Sequence, residues 1–154
     1  MRCYVIGDIH GCLDELRYLV EGLPLESGDR LVFLGDYVDR GPNSKGVLTY
    51  VLQLQQRGDL ELICLKGNHE DMFLAYLGLP GQHGDMFLYN GGYATLISYG
   101  VNSKQSSLDE ITSQISPDHI DFLKNLRMYF VMEPFICVHA GINPSKPLAK
   151  QTDA

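Results

Sequence analysis

The sequence lacks three features that would place it in other protein classes. No apolar run approaches the roughly 18 residues that a membrane-spanning helix needs, and no run of Lys or Arg is present. No two cysteines have the CxxC spacing of a redox or zinc motif. Lys and Arg number 12 against 19 Asp and Glu, and the net charge of -7 disfavours a polyanionic partner. We therefore expect no membrane contact and no nucleic-acid partner.

The start of the sequence also leads us to expect no secretion signal. Residues 1–6 lead directly into the first motif and leave no room for a charged region, an apolar region and a cleavage site. The cysteines are far apart, and three of the four lie in strand-like segments, so reduced, buried thiols and a cytoplasmic location are expected. At 154 residues the chain fits a single domain, 1–154, with one core. Nothing in the pattern indicates an oligomeric state.

Short β-rich runs and helical patterns alternate three times in the first half of the chain. The successive strand and helix candidates are 2–6 and 13–23, 30–34 and 47–54, and 60–65 and 69–77. This alternation predicts an α/β fold with parallel strands, whose carboxyl ends carry the functional loops. The second half predicts a helical insertion, two further strands and, after Gly141, a loop or frayed tail. The helical patterns there are 92–99, 108–115 and 117–126, and the strands are 129–132 and 135–138.

Four glycine-flanked segments carry hard or borderline metal ligands directly after strand-like runs. They are Gly7-Asp8-Ile9-His10-Gly11, Gly35-Asp36-Tyr37-Val38-Asp39-Arg40-Gly41, Gly67-Asn68-His69-Glu70 and Val138-His139-Ala140-Gly141. Because the carboxyl ends of parallel strands meet at one edge of a sheet, we expect these segments to converge. Together they predict a two-metal phosphoesterase centre.

The spacing within these segments suggests which residues bind which cation. Asp8 and His10 are two residues apart in an extended segment, so their side chains point the same way and can bind one cation. Asp36 can bridge two cations roughly 3.5 to 4 Å apart. Asn68 and His139 then supply ligands to the second ion. Such a mixed nitrogen and oxygen set suits Mn²⁺, Fe or Zn²⁺ better than Ca²⁺.

The remaining polar residues of the motifs predict the catalytic groups. His69, next to the ligand Asn68, is the candidate general acid, and Asp39 is the carboxylate expected to hold its proton in place. Arg40 offers a planar fork for bidentate phosphate contact. Glu70 is interpreted as a helix-start group rather than a ligand.

The blocks GDIHG, GDYVDRG, GNHE and HAG, in this order, resemble the signature of the phosphoprotein phosphatase branch of the calcineurin-like metallophosphoesterases. Within that branch, the motifs are most similar to those of the bacterial and phage-type serine/threonine phosphatases. The resemblance implies an αββα sandwich and hydrolysis of phosphate monoesters, on a phosphorylated protein or a small phosphomonoester. It also implies two divalent cations, with Mn²⁺ preferred and Fe or Zn as alternatives, and the same ligand and acid roles as above.

The sequence departs from that family pattern in two places. Lys66 stands where the protein phosphatases usually carry an arginine, and a lysine loses the bidentate grip; with Arg40 and Asn68 it is the expected substrate-binding set. The family continues beyond HAG to a further arginine and to a GH block whose histidine completes the second metal. This sequence has neither, so we expect incomplete C-terminal strands and weaker binding of the second cation.

Two other functions remain open at this point. Hydrolases of dinucleoside polyphosphates share GDIHG and GNH blocks, although GDYVDRG favours the phosphatase interpretation. A catalytically impaired fragment that binds metal or phosphate is the third hypothesis. Outside the motifs, His83 and His119 are expected at the surface, and the segment 89–99 is expected to pack in the core rather than flank a substrate groove.

Overall fold

A three-stranded parallel sheet lies at the centre of the computed structural model, which describes residues 1–102 and 105–151. Its strands are β1 (Cys3–Ile6), β2 (Arg30–Phe33) and β3 (Glu61–Cys64), with β2 in the middle. Val5 of β1 lies opposite Val32, and Val32 lies opposite Ile63. The parallel α/β arrangement predicted from the alternation of strands and helices is confirmed.

Two helices connect these strands and a third follows the last of them. They are α1 (Leu13–Gly22), α2 (Ser44–Arg57) and α3 (Asn68–Tyr76). Helix α2 shows why such segments fold locally: the Asn43 side chain accepts the Gly46 N–H at its start, and Gly58 ends it in the left-handed region at φ 70°. Because α2 follows β2 and α3 follows β3, the first residues of both helices lie at the carboxyl edge of the sheet.

The helical insertion and the two predicted late strands are also present. The insertion begins with short turns at Gly84–Met86 and Leu88–Gly92 and continues as α4 (Tyr93–Ser98), α5 (Leu108–Gln114) and α6 (Pro117–Lys124). Strands β4 (Tyr129–Met132) and β5 (Phe135–Val138) form an antiparallel hairpin. The tail is more ordered than predicted, because a short turn at Leu148–Lys150 places the Gln151 side chain against the Asn143 backbone.

The two faces of the sheet are covered differently. Along β2, Leu31 and Phe33 pack into the larger cluster with the helices, whereas Val32 packs on the opposite face with Phe130 and Cys137 of the hairpin. This alternation is the period of two expected for a strand buried on both sides. The hairpin thus brings the end of β5, and with it His139, over the sheet.

One predicted surface histidine is buried. His119 is 5% exposed, because its ring contacts the Tyr99 hydroxyl at 2.7 Å and the Thr49 hydroxyl at 3.2 Å; the expectation that it lies at the surface was wrong. His83 is exposed, as expected. The segment 89–99 is mixed: Tyr99 is buried in the core, but Tyr89 is 87% exposed.

Two other features bear on the expectations from composition. All four cysteines have free thiols. Among the described residues, no helix combines the length and the apolar character that crossing a lipid bilayer requires.

Candidate metal centre

The loops after β1 and β2 are bonded to each other at the carboxyl edge of the sheet. The amides of Ile9 and His10 both donate to the Asp36 carbonyl, at 3.0 and 2.8 Å, and the Gly11 amide donates to the Tyr37 carbonyl at 2.9 Å. The first two motifs are therefore one backbone unit. Asp8 and His10 cannot move far from Asp36 without breaking these bonds.

The backbone of this unit is conformationally unusual. Five non-glycine residues in the described part of the chain have positive φ, and four of them belong to the motifs: His10 (45°), Asp36 (54°), Asp39 (72°) and Arg40 (66°). Left-handed backbone costs a non-glycine residue about 1–3 kcal/mol and persists where the surroundings enforce it, commonly at functional sites. The clustering of these positive-φ residues at the carboxyl edge of the sheet indicates that the functional site lies there.

A buried carboxylate enforces much of this conformation. The Glu70 oxygens accept the backbone N–H groups of Asp36 (2.8 Å), Tyr37 (2.7 Å), Val38 (3.3 Å) and Gly67 (2.9 Å). Burial, with the neighbouring charge of Asp36, raises the pKa of Glu70 to about 7, and these N–H donors act in the opposite direction. Glu70 therefore joins the Asp36 loop to the start of α3, in agreement with its interpretation as a helix-start group.

Gly67 allows the third motif to approach the second closely. A Cβ atom at Gly67 would collide with the Asp36 carboxylate and with the Asp36 backbone nitrogen. Only a residue without a side chain fits between them. The Asn68 and His69 side chains consequently start directly beside Asp36, and the His69 N–H donates to the Asp36 carboxylate at 3.2 Å.

The other four predicted metal ligands form one cluster with the Asp36 carboxylate. One Asp36 oxygen lies 3.6 Å from His10 Nε2, and the other lies 3.4 Å from His139 Nε2. Asn68 Oδ1 lies 3.1 Å from His139 Nε2, and an Asp8 oxygen lies 3.9 Å from His10 Nε2. Donor atoms of Asp8, Asp36 and His139 all lie within 4.8 Å of one another, and so do those of His10, Asp36 and His69.

The two histidines predicted as ligands are each oriented by a backbone carbonyl. His10 Nδ1 lies 2.9 Å from the Val38 carbonyl, and His139 Nδ1 lies 2.9 Å from the Leu34 carbonyl. A backbone carbonyl can only accept, so each Nδ1 carries a proton and each Nε2 faces the carboxylates. Imidazole nitrogens in their deprotonated state, carboxylate oxygens and one amide oxygen would form a donor set that fits borderline divalent cations.

The central carboxylate and one histidine influence each other's protonation. Burial would raise the pKa of Asp36, but the contact with His139 and the His69 N–H outweigh it and lower that pKa. The same contact with Asp36 raises the pKa of His139 to about 9, against a smaller opposing effect of burial. A cation at this edge therefore competes with a proton for His139 Nε2.

The predicted acid pair is assembled in the interior. His69 Nδ1 lies 2.7 Å from an Asp39 oxygen, and both side chains are almost completely buried. Arg40 extends its guanidinium between two imidazoles, with Nη1 at 2.8 Å from His10 Nε2 and Nη2 at 3.0 Å from His69 Nε2. Arginine donates and cannot accept, so both Nε2 atoms act as acceptors in this arrangement. His10 can ligate a cation only after Arg40 gives up that contact.

Three features of the site lie outside the motif pattern. The hydroxyls of Ser44 and Thr95 contact Asp39, at the start of α2 and in α4 respectively. No motif or other local signal in the sequence marks Thr95 as part of the site. The Lys66 ammonium contacts Asp71 at 2.7 Å, and Asp71 also accepts the Gln82 N–H, so this expected phosphate contact already has an acidic partner.

Several curated proteins are similar to this chain along most or all of its length. A bis(5'-nucleosyl)-tetraphosphatase of the symmetrical type from Vibrio cholerae is 34% identical over 158 aligned residues, which cover 100% of this chain and 49% of that protein. The asymmetrical tetraphosphatase PrpE of Bacillus velezensis is 27% identical, over 90% of this chain and 55% of that protein. The chain spans about half the length of the curated relatives it matches.

A solved structure shows the same fold. The crystal structure of a protein provisionally named a diadenosine tetraphosphatase superimposes with a TM-score of 0.64 at 24% identity, over 98% of this chain and 55% of that one. The names of these relatives do not support the narrower placement in the phosphoprotein phosphatase branch, and they favour the alternative reading made from the sequence. The profile of the calcineurin-like phosphoesterases matches residues 1–152, and the chain belongs to that family.

Proposed function

We propose that this chain carries a two-cation centre for the hydrolysis of dinucleoside polyphosphates at a phosphoanhydride bond. The observation that carries the proposal is the clustering of four donor side chains, those of Asp8, His10, Asn68 and His139, with the Asp36 carboxylate, whose two oxygens face His10 and His139. The substrate class rests on the relatives, which are named tetraphosphatases of bis(5'-nucleosyl) compounds. A phosphorylated protein as substrate finds no support in those names.

The distances around Asp36 support the ligand roles that we propose. Asp8, His10 and one Asp36 oxygen form the first set, and the other Asp36 oxygen, Asn68 and His139 form the second. Mn²⁺ is the cation we propose first, with Fe or Zn²⁺ as alternatives, because the donors are nitrogen and oxygen without thiolate. Bound cations would offset the repulsion between Asp8 and Asp36, and would supply Lewis-acid polarisation and an activated water at neutral pH.

Substrate contacts come from the groups beside this centre. Arg40 can turn its exposed guanidinium from the imidazoles to a phosphoryl group, since its planar fork matches two phosphate oxygens. Asn68 and Lys66 complete the proposed set. Lys66 would be shared between Asp71 and a phosphate, which suits a substrate that carries several phosphates in a row.

Proton transfer to the leaving oxygen is assigned to His69. Its Nδ1 is held by Asp39, which keeps Nε2 directed at the pocket. Once Arg40 turns from Nε2 to a phosphoryl group, that atom can take up a proton and deliver it to the leaving oxygen. The leaving group of a dinucleoside polyphosphate is itself a phosphate oxygen, which is a better leaving group than a serine alkoxide. The acid therefore contributes less on this substrate than it would on a phosphoserine.

Product analysis tests the proposal. The protein with Mn²⁺ is incubated with diadenosine tetraphosphate, with a phosphoserine peptide and with an aryl phosphate, and the products are separated chromatographically. We expect the tetraphosphate to be cleaved with the highest kcat/KM, either to two diphosphates or to a triphosphate and a monophosphate. Asp36→Asn should abolish this activity.

The other outcomes separate the competing functions. Preferential hydrolysis of the phosphopeptide or the aryl phosphate would contradict the proposed substrate class and restore the phosphatase interpretation. Binding of Mn²⁺ without turnover of any of the three compounds would identify a catalytically impaired metal-binding chain.

A further inference from the structure

Asp39 is held on both of its carboxylate oxygens, and only one of them contacts His69. The first lies 2.7 Å from His69 Nδ1, and the second accepts the Thr95 hydroxyl, also at 2.7 Å. Asp39 and Thr95 are completely buried and His69 is 1% exposed. We propose that Thr95 is a positioning residue for the His69–Asp39 pair, an inference that rests on the proposed function.

The hydrogens around Asp39 can be assigned one by one. The single hydroxyl hydrogen of Thr95 goes to Asp39, so the 2.9 Å contact between Ser44 and Thr95 must use the Ser44 hydrogen. The Asp39 N–H points at both hydroxyls, at 2.8 Å to Thr95 and 3.1 Å to Ser44. Each hydroxyl is thus both donor and acceptor, and the ring of bonds has one arrangement.

This ring fixes Asp39 where its backbone is under strain. Asp39 has φ 72°, a conformation that the surroundings must enforce. The next residue is held by the same segment of chain, since the Arg40 N–H donates to the Gly91 carbonyl at 3.1 Å. Gly91 itself has φ 101°, and a Cβ there would collide with the Arg40 side chain. The segment from Gly91 to Thr95 therefore contacts both strained residues: Gly91 binds the Arg40 backbone, and Thr95 binds Asp39.

Thr95 can affect the chemistry only through Asp39. In the part of the chain that the structure describes, its hydroxyl bonds to Asp39 and Ser44 and to none of the five proposed metal ligands. Without the hydroxyl, one oxygen of a buried carboxylate loses its side-chain donor. The carboxylate is then free to turn, and His69 loses its fixed orientation.

The decisive comparison is Thr95→Val against Thr95→Ser. Valine keeps the shape and removes the hydroxyl, whereas serine keeps the hydroxyl and removes a methyl group. We expect Thr95→Val to lower kcat about 10- to 100-fold, the usual cost of losing a partner that orients a functional group. KM and Mn²⁺ affinity should stay within about twofold, and Thr95→Ser should keep nearly full kcat.

A double-mutant cycle shows whether the effect passes through Asp39. In an Asp39→Asn background, Thr95→Val should lower kcat by less than about twofold further, because coupled residues are not additive. A full additional loss would overturn the inference, since it would mean that Thr95 acts by another route. An unchanged kcat in the single variant would overturn it as well.

A readout independent of turnover keeps the two proposals apart. The His69 Nδ1 proton, donated to a buried carboxylate, should give a far-downfield imidazole resonance in NMR. We expect Thr95→Val to shift or lose this resonance and Thr95→Ser to retain it, even in a chain that hydrolyses nothing. Thr95→Ala serves as a second hydroxyl-free variant if valine disturbs folding. An unshifted resonance in the hydroxyl-free variant would contradict the inference and leave the proposed function untouched.

Discussion

The two sides of the Asp36 carboxylate are built differently. On the inner side, comprising His10, Asp39 and His69, the chain itself fixes the groups: the His69 side chain is 2% exposed and Asp39 is enclosed by hydroxyls. On the outer side, comprising Asp8, Asn68 and His139, the Asp8 side chain is 57% exposed and Asn68 faces solvent. The proton-transfer pair is therefore preorganised by packing, whereas the exposed Asp8 and Asn68 side chains would be fixed by a bound cation; His139 is already oriented by the Leu34 carbonyl.

The largest expected effect comes from the group that the two sides share. Asp36→Asn removes one of the bridging oxygens and leaves an amide, so both cation sets are weakened together. We expect kcat to fall about 10³-fold or more, because cation stabilisation of the transition state is worth several kcal/mol. Steady-state kinetics at saturating Mn²⁺ measures this.

Asp85→Asn is the matched control for that change. Asp85 is exposed in the turn at residues 84–86 and contributes no donor to the site, so its variant should keep full activity. Equal activity of Asp36→Asn and Asp85→Asn would show that Asp36 does not bridge cations in the working protein.

The next largest effect comes from the inner side. His69→Asn should lower kcat about 10²–10³-fold on an alkyl phosphate such as phosphoserine, and only about tenfold on a dinucleoside polyphosphate, whose leaving group needs less protonation. His83→Asn, at an exposed histidine, is the control. The same loss on both substrates would contradict the assignment of His69 as the acid.

The outer side should respond through cation binding instead. His139→Gln removes the nitrogen that lies between Asp36 and Asn68. We expect calorimetric titration with Mn²⁺ to fall from two sites to one, while the downfield His69 resonance persists because Asp39 still holds that ring. Loss of the resonance in His139→Gln would mean that the inner side is not independently held.

The smallest effect concerns His119, a buried histidine that lies outside the proposed metal and catalytic groups. Burial lowers the pKa of His119 below its ordinary 6.5, so the unfolded chain takes up a proton there before the folded chain does. The stability that His119 contributes is present above that value and is lost as the pH falls through the folded pKa. Denaturant unfolding at about pH 7.5 and about pH 5.5 should show a smaller drop for His119→Gln than for the unsubstituted protein. An equal drop in the free energy of unfolding for the two proteins would contradict a lowered pKa for His119.

Local signals were sufficient for most of the fold. The hairpin strands were predicted at their observed bounds, because residues 129–132 and 135–138 are β-rich runs separated by Glu133-Pro134. Helix α2 was predicted over residues 47–54 from its apolar spacing, and the observed helix extends beyond both ends of that range, from Ser44 to Arg57. The convergence of Asp8, Asp36 and Asn68 could be predicted because each follows a strand of the parallel sheet, whereas His139 reaches them from the separate β4–β5 hairpin, which the parallel order does not explain.

What the sequence could not provide were contacts between distant segments. Thr95 and Asp39 are 56 residues apart, and no pattern around Thr95 indicates a partner. His119 is buried by Tyr99 and Thr49 from other helices, which a polar helix start does not reveal. The metal ligands did not settle the substrate class either, since the same donors serve esters and anhydrides.

The central claim is that Asp36 lies between two cations. Crystals grown with Mn²⁺ and measured at the manganese absorption edge test it most directly. We expect two anomalous peaks roughly 3.5 to 4 Å apart. One Asp36 oxygen should face each peak, with His10 beside one peak and His139 beside the other. A single peak, or peaks away from Asp36, would contradict the account.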